Sequence, residues 1–75
     1  MEEKVLHILA EINEELLTYT GSNMLEDGLV NSLSFISMVG DLEDAFDIEF
    51  DESFMGEEYL GNKDRIIQTI KELMA

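Results

Sequence analysis

An all-α fold, three main helices and one short one in a small bundle, follows from three observations. Apolar residues recur at three- and four-residue spacing in three stretches; no run alternates with period two over a useful length; and turn residues gather between the stretches, with no proline anywhere. In the first stretch, Glu2 to about Leu17, Val5, Leu9, Ile12 and Leu16 form one apolar stripe with Ile8 on the same side. Glu3, Glu11, Glu14 and Glu15 fall largely outside it, and Glu2 and Glu3 suit the positive end of the helix dipole.

Thr18 to Asn31 reads as a long connection. Gly21-Ser22-Asn23 and Asp27-Gly28 carry turn chemistry, while Met24, Leu25, Leu29 and Val30 are expected to pin the loop to a core. An irregular connection of this length in a small domain is often functional. The second helix is predicted over Ser32 to Phe46 with Asn31 as its cap, its buried stripe being Phe35, Val39, Leu42 and Phe46 flanked by Ile36 and Met38. Asp47 to Leu60 is expected to be irregular, with one helical turn near Glu57 to Leu60 and anchors at Ile48, Phe50, Phe54 and Tyr59. The last helix starts after Gly61 with Asn62 as cap and Asp64 in its first turn. It shows Ile66, Ile67, Ile70, Leu73 and Met74 on one face, with Lys71 near its negative end.

The 75 residues are read as one domain, 1–75. A domain of that size buries only about 60–65% of the surface its unfolded chain exposes, so modest stability is expected. Eighteen acids against four bases give a formal net charge of −14, which repels nucleic acid and anionic membranes and favours basic protein surfaces. With 45% hydrophobic residues in periodic stripes, the acidity does not imply disorder. There is no cysteine, no apolar run near the ~18 residues of a membrane span, and no basic signal-peptide start, so a soluble, cytoplasmic monomer is expected.

Unrolled at about 100° per residue, the second helix sets Leu33, Ser37, Gly40, Asp41 and Asp44 opposite its apolar stripe. Leu33 is an apolar residue pointing away from the core, and Gly40 lowers helix stability by about 1 kcal/mol relative to alanine. A partner can dock flush on such a face; the plainer reading is a lone exposed leucine and a glycine that eases packing.

Gly28-Leu29-Val30-Asn31-Ser32-Leu33, followed by Leu42-Glu43-Asp44-Ala45-Phe46-Asp47-Ile48-Glu49-Phe50, closely resembles the acyl carrier protein family. The resemblance implies that Ser32 bears 4′-phosphopantetheine as a phosphodiester and that the arm's thiol carries an acyl or aminoacyl group as a thioester. It further implies a phosphopantetheinyl transferase, an acyl- or aminoacyl-loading ligase and a downstream transferase as partners with basic docking surfaces, and a place in fatty acid, aminoacyl, polyketide or peptide biosynthesis. Two positions depart from the family: Asn31 stands where it has aspartate, and Ser37 where it usually has an acid. Asp41, Glu43 and Asp44 remain as docking charge. The stretch Glu26 to Ser32, and Asn62-Lys63 ahead of Ile66-Ile67, look more like the D-alanyl carrier branch than the fatty acid branch. The Leu-Gly-Gly-x-Ser form of many peptide-synthetase carriers is absent.

An enzyme is not expected: the sole histidine, His7, lies on the first helix, and no Ser-His-acid set suggests itself. Asp41 to Glu52 lacks the spacing of a calcium loop. The rival to a carrier is an unmodified acidic interaction module with the same fold, using Leu33 and Met38 as anchors for a basic partner.

Overall fold

The computed structural model describes residues 1–75, the side chain of Glu57 excepted. Its helices are α1 (Glu2–Ile12), α2 (Ser32–Phe46), α3 (Glu57–Leu60) and α4 (Lys63–Met74), with 3₁₀ turns at Glu14–Leu17 and Glu52–Phe54 and, among the described residues, no strand. Among the described residues, no helix is long and apolar enough to cross a membrane.

The first helix is shorter than its apolar period suggests. At Asn13 the backbone turns extended (φ −165°, ψ 116°) and the chain resumes as a 3₁₀ turn. Asn13 stabilises the break with both ends of its amide: Oδ1 accepts the Glu15 N–H at 2.9 Å, and Nδ2 donates to the Leu29 carbonyl at 2.9 Å. The stripe survives the change of helix type, because Leu16 is still buried.

α1 packs on both α2 and α4, and α3 on α4. Val5 and Leu9 of α1, Met38, Val39 and Leu42 of α2, and Ile66, Ile67 and Ile70 of α4 form the centre of one core. Lys4 ties the start of α1 to the end of α2: its Nζ donates to the Ala45 carbonyl at 2.9 Å and lies 5.4 Å from the Phe46 ring centre. A cation there satisfies an otherwise unpaired helix-end acceptor and complements the negative end of the dipole.

Two expected core positions lie outside it. Ile36 and Met74 are 63% and 54% exposed, each at the edge of its helix's apolar stripe where no other element covers it. Thr69, by contrast, is buried; its hydroxyl donates to the Tyr59 carbonyl at 3.0 Å, which makes the burial tolerable and fastens α3 to α4.

The 18–31 connection is held from several sides. Met24 and Val30 are buried in the core, whereas Leu25 stays partly exposed. The Met24 N–H donates to the Gly61 carbonyl at 3.0 Å, and Asn62 Nδ2 donates to the Gly21 carbonyl at 2.8 Å. The Met24–Gly28 turn closes with Leu29 N–H on the Met24 carbonyl (2.9 Å) and Gly28 N–H on that of Leu25 (3.3 Å). That closure requires a left-handed residue, and Gly28 has φ +84°. Tyr19 folds over Gly21, where an added Cβ would lie 2.3 Å from the phenol oxygen. That oxygen donates to Asp27 at 2.5 Å and accepts the Asn23 N–H at 3.0 Å. Burial, and then the Asp27 carboxylate, hold the phenol above its usual titration range.

Replacing Asn13 with alanine removes the 3₁₀ cap and leaves the Leu29 carbonyl without its partner. The expected loss is about 1–2 kcal/mol, read as a melting temperature lower by roughly 4–16 °C. A variant melting like the parent chain would contradict the two-ended role of Asn13.

Candidate functional site

α2 begins where the loop's geometry delivers it. Asn31 is extended (φ −101°, ψ 179°), and its Oδ1 accepts the Ser34 N–H at 2.8 Å while its carbonyl accepts the Phe35 N–H at 2.9 Å. Ser32 is therefore the first residue of the helix. Among the described residues, neither its hydroxyl nor the N–H groups of Ser32 and Leu33 form a hydrogen bond. Ser32 is exposed, and the first turn of α2 carries no acid. An exposed hydroxyl beside two unpaired N–H groups at the positive end of a 15-residue helix suits a phosphoryl group.

Beyond Ser32, the face opposite the core is laid out largely as its period suggests. Leu33 is 78% exposed; Ser37, Asp41 and Asp44 are exposed; Gly40 is half-buried. Ile36 joins Leu33, so the apolar feature of this face is a pair of side chains one turn apart. Met38 is fully buried and is not a surface anchor for a partner.

Glu43 also has a different place. It is half-buried, and its Oε2 accepts the Phe50 N–H at 2.8 Å while its main-chain carbonyl accepts the Ile48 N–H at 3.2 Å. With Asp47 in the left-handed region (φ 53°), these bonds end α2 and turn the chain back so that Phe50 enters the core. Glu43 therefore shapes the end of the helix, and the exposed acids of this face are Asp41 and Asp44.

A cleft of about 90 Å³ lies beside the start of α2, between Phe35, the Asn23–Leu25 turn, Met55 and Leu60. A cavity of about 150 Å³ is needed to hold a benzene ring, so this one admits only a few heavy atoms. His7 lies on the surface of α1, its Nε2 3.1 Å from Glu11. Among the described residues no group of three or more His, Cys, Asp or Glu side chains is placed to hold a metal ion. Asp51 caps the second 3₁₀ turn, and hydrogen bonds from the Ser53 hydroxyl and N–H hold its carboxyl below the usual range.

Compared with protein-family models and with curated proteins, the chain gives no match. The fold and this site define a small all-helical protein with an exposed serine opening its longest helix and an acid-edged outer face.

Leu33→Ala should shift the melting temperature by no more than about 4 °C, as an exposed substitution does, whereas Met38→Ala should lose about 2–5 kcal/mol. Circular dichroism melts of the two variants check this, and a loss of helicity in Leu33→Ala would contradict the outward placement. With so many unpaired acids, magnesium or sodium chloride should raise the melting temperature by screening self-repulsion. A melt unchanged across that titration would count against it.

Proposed function

We propose that this chain is an acyl or aminoacyl carrier protein of the acyl carrier type, and that Ser32 is the attachment point of its 4′-phosphopantetheine arm. The observation that carries the reading is the first turn of α2: an exposed Ser32 hydroxyl without a hydrogen-bond partner, beside main-chain N–H groups that Asn31 leaves unpaired. The likeness of Gly28–Leu33 and Leu42–Phe50 to the family's motif supports the same assignment.

In the loading step the Ser32 Oγ attacks the phosphorus of coenzyme A nearest the pantetheine unit. A new P–O bond forms, the pyrophosphate bridge breaks, 3′,5′-ADP leaves, and the serine proton passes to a base of the transferase. The chain needs no base of its own. Asn31 holds the helix start, and the N–H groups of Ser32 and Leu33, at the favourable end of the dipole, would receive the phosphodiester. The arm, once attached, supplies a thiol that carries cargo as a thioester. Leu33, Ile36, Asp41 and Asp44 offer that cargo's enzymes an apolar and acidic face. The small cleft near Phe35 is of a size to take a small aminoacyl or short acyl group. The D-alanyl-like stretches point the same way.

Incubation with coenzyme A and a broad-specificity phosphopantetheinyl transferase, followed by intact-mass measurement, should add one phosphopantetheinyl group. Ser32→Ala should abolish the addition. No gain with several transferases would overturn the carrier reading in favour of an unmodified interaction module. Asn31→Asp keeps the cap and restores a negative charge beside the serine, so it should raise the initial modification rate, by up to about fivefold for an exposed ion pair of about 1 kcal/mol. An unchanged rate would show that the transferase does not use that charge.

A further inference from the structure

Asp27 is the only aspartate or asparagine in the chain that is followed by glycine. Such a pair rearranges without a catalyst when left free, because glycine sets no side chain beside its own main-chain nitrogen. Asp27 and Gly28 are both exposed, and a Cβ built on Gly28 meets nothing within 4 Å. Crowding gives the pair no protection.

Hydrogen bonds hold both reacting groups instead. The Tyr19 hydroxyl donates to Asp27 Oδ2 at 2.5 Å, across the loop, and so fixes the torsion of the carboxyl group. The Gly28 N–H donates to the Leu25 carbonyl at 3.3 Å, a long bond, so the carboxyl is the more firmly held of the two. Gly21 makes room for the phenol, since any β-carbon there would lie 2.3 Å from its oxygen. The Asn23 N–H donates to that oxygen at 3.0 Å and steadies it. Burial, then the Asp27 contact, keep the phenol protonated above its usual range, so it remains a donor at neutral pH.

We propose that Asp27–Gly28 is a site of isoaspartate formation and that Tyr19 is the residue that guards it. In the unguarded step the Gly28 nitrogen attacks Cγ of the protonated Asp27 carboxyl. A C–N bond forms, the carboxyl C–O bond breaks, and the hydroxyl leaves as water with the amide proton. Water then opens the succinimide ring. Opening at the main-chain carbonyl routes the chain through Cγ and leaves the former carbonyl carbon as the new carboxylate. Mass and charge return to their starting values, but the backbone is one carbon longer. That carbon falls inside the Met24–Gly28 turn, which leads to Asn31 and the start of α2. None of this depends on Ser32 being modified.

The test ages the parent chain, Tyr19→Phe, Asn62→Ala and Asp27→Glu side by side, at a temperature where circular dichroism shows each still folded. Isoaspartate is counted by labelling with an isoaspartyl methyltransferase and located by electron-transfer fragmentation. Tyr19→Phe keeps the ring over Gly21 and removes only the hydroxyl. It should gain isoaspartate at residue 27 about tenfold faster than the parent, the scale of one hydrogen bond to a charged group. Asn62→Ala frees the Gly21 carbonyl of the same loop without touching Asp27, and should age at the parent's rate. Asp27→Glu should give no label at that position. The parent held unfolded in urea, with the guard gone, should age at least as fast as folded Tyr19→Phe. Tyr19→Phe ageing like the parent, or Asn62→Ala ageing as fast as Tyr19→Phe, would overturn the guard. A folded parent that ages as fast as the unfolded chain would overturn it too. Label absent from residue 27 in every chain, or concentrated at Asn31, would overturn the site.

Discussion

The structure depends on keeping an irregular segment, residues 18–31, in one place against the helical core. Side-chain amides do much of this. Asn13 and Asn62 each use the carbonyl oxygen to cap a helical turn and the NH₂ group to hold a loop carbonyl, Leu29 in one case and Gly21 in the other. Met24 supplies the apolar half of the anchor, buried with its N–H on Gly61. Each bond is modest, about 1 kcal/mol net. Together they fix where Asn31 lies, and Asn31 fixes where α2 begins.

From that start, α2 divides into two surfaces with different duties. Met38, Val39 and Leu42 face inward and join α1 and α4 in one core. The outer side keeps Ser32, Leu33, Ile36 and Ser37 ahead of Gly40, with Asp41 and Asp44 beyond. The two acids of the Leu42–Asp44 run are separated in role: Asp44 stays in solvent, while Glu43 turns under to receive Phe50. A helix that ends on a left-handed Asp47 needs such an acceptor to bring the returning chain into the core. The same acidic sequence therefore supplies both a fold contact and a solvent-facing charge.

How much of this was legible in the sequence varies by element. α2 was readable to the residue, because a capping asparagine marks its start and its apolar stripe ends at Phe46. The first helix was read too long, since Leu16 continues the period across Asn13 and only the asparagine's two hydrogen bonds reveal the break. Ile36 and Met74 sit at stripe edges, where periodicity cannot say whether a neighbouring element provides cover. Thr69 was missed because its burial depends on the Tyr59 carbonyl, a contact across a turn. Glu43 looked like surface charge, because its partner Phe50 returns to it only after the chain reverses. The cleft by Phe35 likewise depends on how Met55 and Leu60 are placed against α2.

The proposed function rests finally on one hydroxyl, that of Ser32. Mass measurement of the chain isolated from its natural source, with the peptide containing Ser32 sequenced by fragmentation, tests this most directly. The account predicts a phosphopantetheinyl group on Ser32, a fraction of it ending in a small acyl or aminoacyl thioester released by hydroxylamine. A chain recovered wholly at its unmodified mass, from cells whose other carrier proteins bear the arm, would contradict it.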